Sequence, residues 1–429
     1  MTSIVKNEIA NALAPEEIAD DLSKFTRATI EKLGNRVSMT DKDDATGLEL
    51  YCYVNCEPEE DSIINQCRGV VFHGQDIIMH AFPYTVEFSH TDKDSINKTI
   101  NPIFDQCTVF DAYEGALIRM FYFSNKWFTC THRKLNAFRS KWSSKESFGT
   151  TFKRALESEV ENNETLRNSI PAGDEGLLER FQNTLDPTKQ YMFLVLHNDE
   201  NRIVCSAPKR PTLFHVGTFL NKELLLNEQI NIPYPTRHTF SNTTQLVEYV
   251  NSIDICHKQG VIIFAPNNKQ YKVLHNDYIQ YFKVRGNEPS IKYRYLQVRM
   301  NPEIVDNLYH LYPDSVNVFE EYENAIYGIA QNIYSSYVAR YIKKKWVTVA
   351  VDEYNVIRKC HAFHEANRKT NRISLEKVIQ VLNEQSPTNL NKMIRRFQNE
   401  KDRSSNENNE NKEKTQYLKH LPTDQPSVN

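Results

Sequence analysis

The alternation of apolar and polar positions is clearest in residues 109–142, where two runs rich in Val, Ile, Phe and Tyr flank a short polar turn. The first run covers residues 116–123 and the second covers residues 126–130, with Ser124 and Asn125 between them. Strand-forming residues on both sides of a two-residue turn are typical of a β-hairpin. We therefore predict that this hairpin belongs to the core of the protein.

Further paired runs and short helical stretches surround this hairpin. The residues predicted to pair are 67–72 with 77–80, 191–196 with 201–204, and 260–264 with 270–274. Residues 16–35 carry apolar side chains at helical spacing, and residues 208–235 show no regular pattern. Antiparallel hairpins separated by short helices predict an α+β fold.

Beyond about residue 302 the apolar positions recur at every third or fourth residue, as in a helix. The clearest series is Phe319, Tyr322, Ile326, Ile329, Ile333 and Tyr337. This spacing predicts an amphipathic helix. Ser374 and the pair Ser386-Pro387 are typical starts of two further helices. Residues 290–400 are accordingly predicted to form a separate all-α domain.

These changes of pattern divide the chain into four segments. An N-terminal helical or extended region covers residues 1–59, and the α+β domain covers residues 60–289. A run of turn-forming residues from Gly286 to Ser290 predicts that the main boundary lies between residues 286 and 302. After the helical domain, the apolar-free run SSNENNENKEK predicts that residues 401–429 form a disordered tail.

Composition adds a charge asymmetry to this picture. The chain has 429 residues with 22 Tyr, 22 Phe and only 12 Gly, so it is long enough for two or three domains with a sizeable core. Its formal net charge is −3, but residues 340–400 alone carry 13 basic and 6 acidic residues, a net charge of +7. A basic segment on an otherwise acidic chain predicts a polyanionic partner such as RNA, although a solvated helical surface would have the same composition.

The cysteines and the apolar runs restrict the class of protein. The eight cysteines are scattered, without a CxxC pair or histidines at metal-binding spacing. We therefore predict neither a metal site nor a disulfide framework. The first residues lack a hydrophobic signal core, and no apolar run reaches membrane-spanning length. These features predict an intracellular, cytoplasmic protein that is not embedded in a membrane.

The order of the motifs over about residues 60 to 285 resembles that of RNA ligases. The stretches that carry the resemblance are Arg68-Gly69-Val70-Val71-Phe72, Phe82-Pro83, Glu114-Gly115, Asn201-Arg202-Ile203-Val204, Gly260-Val261-Ile262-Ile263-Phe264 and Tyr271-Lys272-Val273. More narrowly, the chain is similar to the phage tRNA-repair type of the covalent nucleotidyltransferase superfamily. With its THRKLNAFRSKW and VLNEQSPTNLNKMIRR stretches, the whole chain also resembles ligase-like proteins of giant DNA viruses. The resemblance implies a nucleotidyltransferase-like domain in host cytoplasm or virion, with ATP and Mg²⁺ as cofactors if the site is functional.

The resemblance also implies a reaction. In these ligases the lysine of a Lys-x-Asp-Gly motif attacks the α-phosphate of ATP and forms a lysyl–AMP intermediate. Glu114 and Gly115 take the places of the motif's aspartate and glycine, but Ala112 stands at the nucleophile position. Because a methyl group cannot form a phosphoramidate bond, we assign no catalytic residue.

Three other positions depart from the family pattern. Val195 and Gln259 stand where the family has glutamates. Of the family's terminal Lys-x-Lys pair, Lys272 remains and Leu274 replaces the second lysine. In the family these carboxylates and lysines hold the ribose, the metal and the triphosphate. Their joint loss predicts a degenerate adenylation site, that is, a pseudoenzyme that binds a nucleotide or nucleic acid.

The resemblance assigns residues to a nucleotide pocket. These are Arg68, Gly69, Glu114, Gly115, Arg202, Gln259, Gly260 and Lys272. Arg68 lies beside a glycine at a strand start, where it either contacts the nucleotide or forms a structural ion pair. Arg202 either orients the nucleotide or pairs with an acidic neighbour.

Nucleic-acid contacts are predicted for two basic stretches. The residues are Arg133, Lys134, Arg139, Lys141, Trp142, Lys343, Lys344 and Lys345. Cations would contact phosphates and the tryptophan would stack on a base, whereas the alternative is an ordinary solvated surface. Two other functions remain open. The first is an active ATP-dependent RNA ligase with a relocated nucleophile, for which Lys134 is the candidate. The second is a viral structural or scaffold protein that keeps only the fold.

Overall fold

The structure is a computed structural model that describes residues 25–56, 62–142, 144–197 and 203–419. The chain divides into two compact units, Met1–Lys283 and Val284–Asn429. The division falls inside the helix Asn276–Arg285, directly before the run of turn-forming residues that predicts the boundary. Residues 16–24 of the helix predicted for residues 16–35 lie outside the described residues, and the described remainder shows a short helix at Arg27–Glu31.

The first unit combines strands with short helices. Its described strands are β1 Val37–Asp43, β2 Leu48–Tyr53, β3 Arg68–His73, β4 Asp76–Met79, β5 Thr85–Ser89, β6 Thr108–Ala112, β7 Ala116–Phe123, β8 Lys126–Cys130, β9 Gln190–Leu196, β10 Thr212–Leu220, β11 Glu223–Leu225, β12 Arg237–His238, β13 Gly260–Phe264 and β14 Gln270–Leu274. Its described helices are α1 Arg27–Glu31, α2 Ser62–Gln66, α3 Lys93–Thr99, α4 Phe148–Asn162, α5 Glu164–Ser169, α6 Leu177–Gln182, α7 Thr243–Ser252 and α8 Asn276–Arg285.

These strands form three sheets. The orders are β1-β2-β3-β4, β11-β10-β9-β7-β8 and β12-β6-β13-β14-β5. Neighbouring strands are antiparallel except for β14 and β5, which run parallel. The predicted α+β class with antiparallel sheets is therefore confirmed.

The hairpin of β7 and β8 forms as the sequence predicts. Phe123 pairs with Lys126, and Ser124 and Asn125 both adopt positive φ angles of 50° and 61°. Two successive left-handed residues match the right-handed twist of the flanking strands, which is why asparagine is favoured here. On β7, Ile118 packs with residues of α4 to α6 in a buried cluster.

One predicted hairpin is wrong. Strand β9 pairs with β7 and β10. Of its predicted partner run 201–204, Ile203 and Val204 form bends, and residues 201–202 lie outside the described residues. Strand β10 lies in the segment predicted to be irregular. Its register shifts between His215 and Gly217, and such a bulge breaks the two-residue alternation by which a strand is recognised.

The second unit is helical, as predicted. Its described helices are α9 Ile291–Val298, α10 Pro302–Leu311, α11 Val316–Tyr337, α12 Val351–Ala366, α13 Leu375–Asn383 and α14 Pro387–Lys419. The six apolar residues that predict α11 are all buried, and Ser374 caps α13 by accepting a hydrogen bond from the amide of Lys377 at 3.3 Å. The apolar stripe of α11 forms the centre of the core of this unit.

The end of the chain differs from the disordered tail predicted for residues 401–429. Helix α14 continues through this segment as far as Lys419, and residues 420–429 lie outside the described residues. Extending an existing helix needs no new nucleus. A lack of apolar residues therefore did not exclude helix formation here.

Candidate functional site

A cavity of about 520 Å³ lies in the first unit. Its walls come from β2, β3, β5, β6, β13, β14 and α8, together with the connection between β6 and β7. The apolar part of the lining includes Phe82, Phe110 and Phe264. The positively charged side chains of the lining include Arg68, Lys272 and Lys283. The cavity thus combines flat apolar walls with positive charge.

Strand register brings distant motif positions to one end of this cavity. Gly260 on β13 pairs with Ala112 on β6 and with Leu274 on β14. The backbone amide of Gln259, one residue before the glycine, donates a hydrogen bond to the carbonyl oxygen of Ala112 at 2.9 Å. Ala112 is 3% exposed and lines the cavity, so the methyl group stands where the resemblance expects a nucleophile.

The predicted pocket residues are largely brought together. Arg68, Glu114, Gly115, Gln259 and Lys272 all line the cavity. Arg202 lies outside the described residues. The two other predicted glycines do not line the cavity, and the packing around them gives a different reason for their presence.

Gly69 and Gly260 are required by close packing against neighbouring backbone. Gly69 has a φ of 96°, and a Cβ there would lie 2.7 Å from the backbone of His132. At Gly260 a Cβ would lie 2.1 Å from the carbonyl oxygen of Val273. Close backbone packing is therefore sufficient to explain both glycines.

Glu114, in the connection between β6 and β7, is hydrogen-bonded to the loop that contains Val204 and Cys205. Its carboxylate accepts hydrogen bonds from the amides of Val204 at 3.0 Å and Cys205 at 2.9 Å, and from the hydroxyl of Tyr278 at 2.7 Å. Burial raises the pKa of Glu114 although these donors favour its charged form. The carboxylate is thus largely committed to the protein's own donors.

Gln259 and Lys272 form a second polar group in the cavity. The side-chain amide nitrogen of Gln259 donates a hydrogen bond to the carbonyl oxygen of Tyr113 at 2.6 Å. The ammonium group of Lys272 lies 3.4 Å from the side-chain oxygen of Gln259 and 3.4 Å from a carboxylate oxygen of Glu87. Lys272 therefore carries a positive charge that is only partly balanced by a half-exposed carboxylate.

Arg68 makes long contacts with neutral acceptors. One guanidinium nitrogen lies 3.5 Å from the carbonyl oxygen of Pro83 and 3.5 Å from the hydroxyl of Thr85. Neither of these acceptors is charged. The described contacts of Arg68 therefore include no ion pair with a carboxylate.

Sequence reasoning missed the buried carboxylate of Asp111, which is the residue before Ala112. Its oxygens accept hydrogen bonds from Lys258 at 2.7 Å, His238 at 2.9 Å and Tyr249 at 2.7 Å. Burial disfavours the charge of Asp111, but these donors outweigh burial and hold its pKa below the ordinary value. The same pairing raises the pKa of Lys258 against its own burial. Periodicity gives no signal for such a cluster, because its members come from β6, β12, α7 and the loop before β13.

Several aromatic residues of the cavity were also missed. Tyr53, Tyr84, Tyr113, Tyr278 and Phe282 line it. The abundance of Tyr and Phe in the composition was the only sequence signal, and it does not say which rings face a cavity. These rings add flat surface on which a base can stack.

Lys134, the candidate for a relocated nucleophile, lies elsewhere. Its ammonium group pairs with Asp41 at 3.3 Å, and the same carboxylate accepts from the amide of Leu135 at 2.9 Å. It is not among the residues that line the cavity. Its neighbours Arg133, Arg139 and Lys141 are exposed, and Trp142 is half-buried.

The basic residues of the second unit are on its surface. Lys343, Lys344 and Lys345 are all exposed, in the segment after α11. Among the described residues, no group of three or more His, Cys, Asp or Glu side chains is arranged to hold a metal ion. No helix in the described part of the chain is long and apolar enough to span a membrane.

Relatives of this chain occur in viruses. It is 29% identical over 326 residues to the immediate-early protein ICP-46 homolog of Invertebrate iridescent virus 6, covering 73% of this chain and 70% of that protein. It is 27% identical over 352 residues to the ICP-46 homolog of Invertebrate iridescent virus 3, covering 79% and 75%. No family model matches the chain. The predicted resemblance to viral proteins is confirmed by these relatives.

The chain is also similar to solved structures of ligases. A putative ATP-dependent DNA ligase from Aquifex aeolicus matches with a TM-score of 0.39 and 13% identity, covering 69% of this chain and 78% of the ligase. An archaeal ATP-dependent RNA ligase matches with a TM-score of 0.38 and 9% identity, covering 66% and 68%.

Proposed function

We propose that the first unit binds a nucleotide in its cavity and does not form a covalent bond with it. The observation that carries the proposal is the buried methyl group of Ala112 at the end of β6, on the wall of a cavity that Gly115, Gln259 and Lys272 also line. The cavity retains charge and shape for a ligand while its expected nucleophile is absent.

The lining supports a nucleoside phosphate as the ligand. Aromatic walls such as Phe82 and Phe110 offer flat apolar surface to a base, and Arg68, Lys272 and Lys283 offer cations to phosphate oxygens. Magnesium fits the same residues poorly. Three carboxylates line the cavity. Glu114 is committed to Val204, Cys205 and Tyr278. Asp111 is paired with Lys258, and Glu87 lies 3.4 Å from the ammonium group of Lys272. We therefore infer nucleotide binding without a resident metal.

Incubation with α-labelled ATP or GTP and a divalent metal, followed by denaturing electrophoresis, tests the covalent part. We expect no labelled band, because no amine stands at the position of Ala112. Equilibrium binding of the same nucleotides, measured without denaturation, should be saturable. Lys272→Ala and Arg68→Ala should each weaken that binding, since each removes a cation from the cavity. A matched control is Lys153→Ala, which removes an exposed lysine of α4.

The active-ligase alternative predicts a different set of results. A labelled band that survives denaturation would show a relocated nucleophile. Its loss in Lys134→Ala would identify that lysine, and its loss in Lys272→Ala or Lys283→Ala would identify an amine of the cavity. Absence of saturable binding would contradict the nucleotide proposal and leave a protein that keeps only the fold.

We further propose that the second unit binds RNA or another polyanion. The exposure of Lys343, Lys344 and Lys345 supports this function, because each phosphate that a cation neutralises releases counterions.

Replacing all three lysines by alanine should weaken binding of a structured RNA such as tRNA and reduce the salt slope of log affinity by about one unit or more. The control triple variant Lys93→Ala, Lys98→Ala, Lys153→Ala removes the same charge from exposed positions of the first unit. Equal affinity and slope in the two triple variants would mean that the basic run is only a solvated surface.

A further inference from the structure

The segment between α11 and α12 exposes large apolar side chains. Trp346 is 89% exposed, and Ile342 and Val351 at the two ends of the segment are 67% and 78% exposed. Tryptophan is normally among the more buried residues because its ring is so large. An indole held almost entirely in solvent gains little for folding and is therefore available for a partner.

The backbone of this segment is anchored at its start. The amide of Lys343 donates to the carbonyl oxygen of Val338, and that of Lys345 donates to the carbonyl oxygen of Ala339, both at 2.9 Å. Between them Lys344 has a φ of 53°. The three lysines and Trp346 therefore leave the helix end from a turn with a defined conformation.

The charge of this segment is available to a ligand. Within the described part of the chain, Lys343, Lys344 and Lys345 have no carboxylate at salt-bridge distance. Arg340 differs from them, since its guanidinium lies over the rings of Tyr341 and Tyr354 at 5.7 and 5.2 Å. The lysines thus form an unpaired positive group directly before an exposed indole.

We propose that residues 342–351 bind single-stranded nucleic acid, with the indole of Trp346 stacked on an unpaired base and the three lysines at the phosphates. This inference rests on the proposed polyanion binding of the second unit and names its substrate class. A base in a duplex is already stacked on both faces, so an aromatic side chain gains a stacking partner only from an unpaired base.

An anionic membrane is the main rival, because Trp, Lys and aliphatic residues also occur at lipid interfaces. A membrane-bound helix would need its apolar face free. In α12 the apolar residues Val356, Ile357 and Cys360 are buried in the core of the helical unit. Only isolated apolar side chains then remain to insert into a lipid bilayer. Stacking on a base, by contrast, needs only one exposed ring.

The test uses the full chain with a fluorescently labelled oligo(U) and with an RNA duplex of the same length. Trp346→Ala should weaken oligo(U) binding about five- to 100-fold and leave the salt slope unchanged, because stacking is not electrostatic. Duplex binding should stay the same. Trp346→Phe should retain most of the oligo(U) affinity, since a ring is still present. Tyr327→Ala, at a residue of α11 that is 49% exposed, is the matched control and should have no effect.

The outcomes separate this inference from the one it rests on. If the triple lysine variant loses RNA affinity and Trp346→Ala does not, the second unit binds polyanions but the stacking proposal is wrong. If no RNA binds at all, both proposals are wrong. Vesicles of phosphatidylserine and phosphatidylcholine form the last arm. Vesicle binding that Trp346→Ala abolishes, together with unchanged oligo(U) binding, would assign the segment to a membrane surface and overturn the proposal.

Discussion

At the scale of single residues, the feature with the largest expected effect on stability is the buried carboxylate of Asp111, next to Ala112. Its side chain is 1% exposed and is paired with Lys258, which is 24% exposed. Removing one partner of such a pair leaves the other charge without compensation, which costs more than the pair contributes. The cluster therefore fixes the end of β6, and with it the wall of the cavity.

Asp111→Asn is expected to lower the free energy of unfolding by on the order of 1–3 kcal/mol near neutral pH. The folded-state pKa of Asp111 is lowered, so its stabilising effect is complete above its unfolded pKa of about 4 and is lost as the pH falls below that value. The difference between wild type and variant should accordingly be constant at neutral pH and shrink in acid. Urea denaturation at a series of pH values measures it.

Asp105→Asn provides the comparison for this experiment, since Asp105 is exposed. It should change the free energy of unfolding by less than about 0.5 kcal/mol at any pH. A difference between wild type and Asp111→Asn that grows in acid would show that the carboxylate is held protonated in the folded state, contrary to the pairing with Lys258.

At the scale of secondary-structure elements, the sequence predicted some of the strand pairs that a short turn connects, but it missed the pairs β1–β2 and β10–β11. The pairs β7–β8 and β13–β14 follow from local alternation. The pairing of β9 with β10 and the parallel pairing of β14 with β5 could not be predicted in this way. Partners that lie far apart in the chain leave no mark on local periodicity.

The candidate site shows the same limit. Motif order assigned Arg68, Glu114, Gln259 and Lys272 to one pocket, and all four line the same cavity. It could not show that the Glu114 carboxylate is occupied by backbone amides, because those donors belong to residues predicted as a strand. Which groups are free to bind a ligand depends on such contacts and not on the motif alone.

Gly115→Ala tests how tightly the connection between β6 and β7 packs on β9. A Cβ at this position would lie 2.7 Å from the carbonyl oxygen of Val195 and 2.9 Å from the side chain of Leu194. Because a strand backbone cannot easily move away, we expect a loss of about 1–3 kcal/mol in the free energy of unfolding. The measurement is the midpoint of urea denaturation.

Gly173→Ala is the matched control, since its nearest neighbour would be an arginine side-chain carbon at the ordinary distance of 3.5 Å. It should be neutral or slightly stabilising. Equal stability of the two variants would mean that the connection is free to move, and the cavity wall would then be less rigid than its register implies.

At the scale of the whole molecule, the chain consists of two units with separate cores and uneven charge. The core of the first unit lies between its sheets and short helices, and that of the second is centred on α11. The basic segment of residues 340–400 belongs entirely to the second unit. Nucleotide binding and polyanion binding are therefore proposed for different units, and variants of one function should leave the other measurable.

Limited proteolysis of the native full chain tests this division. Residues 286–290, between α8 and α9, have no regular secondary structure, and Asn287 and Pro289 are exposed. A protease of broad specificity such as subtilisin should cut there first, because cleavage needs an extended backbone without neighbouring contacts. The turn at Asn125 is also exposed, but the ladder of β7 and β8 closes it, so it serves as a control within the same experiment. Mass spectrometry of the first fragments identifies the cleavage sites. A first cut inside β7 or β8 would contradict the placement of that hairpin in the core.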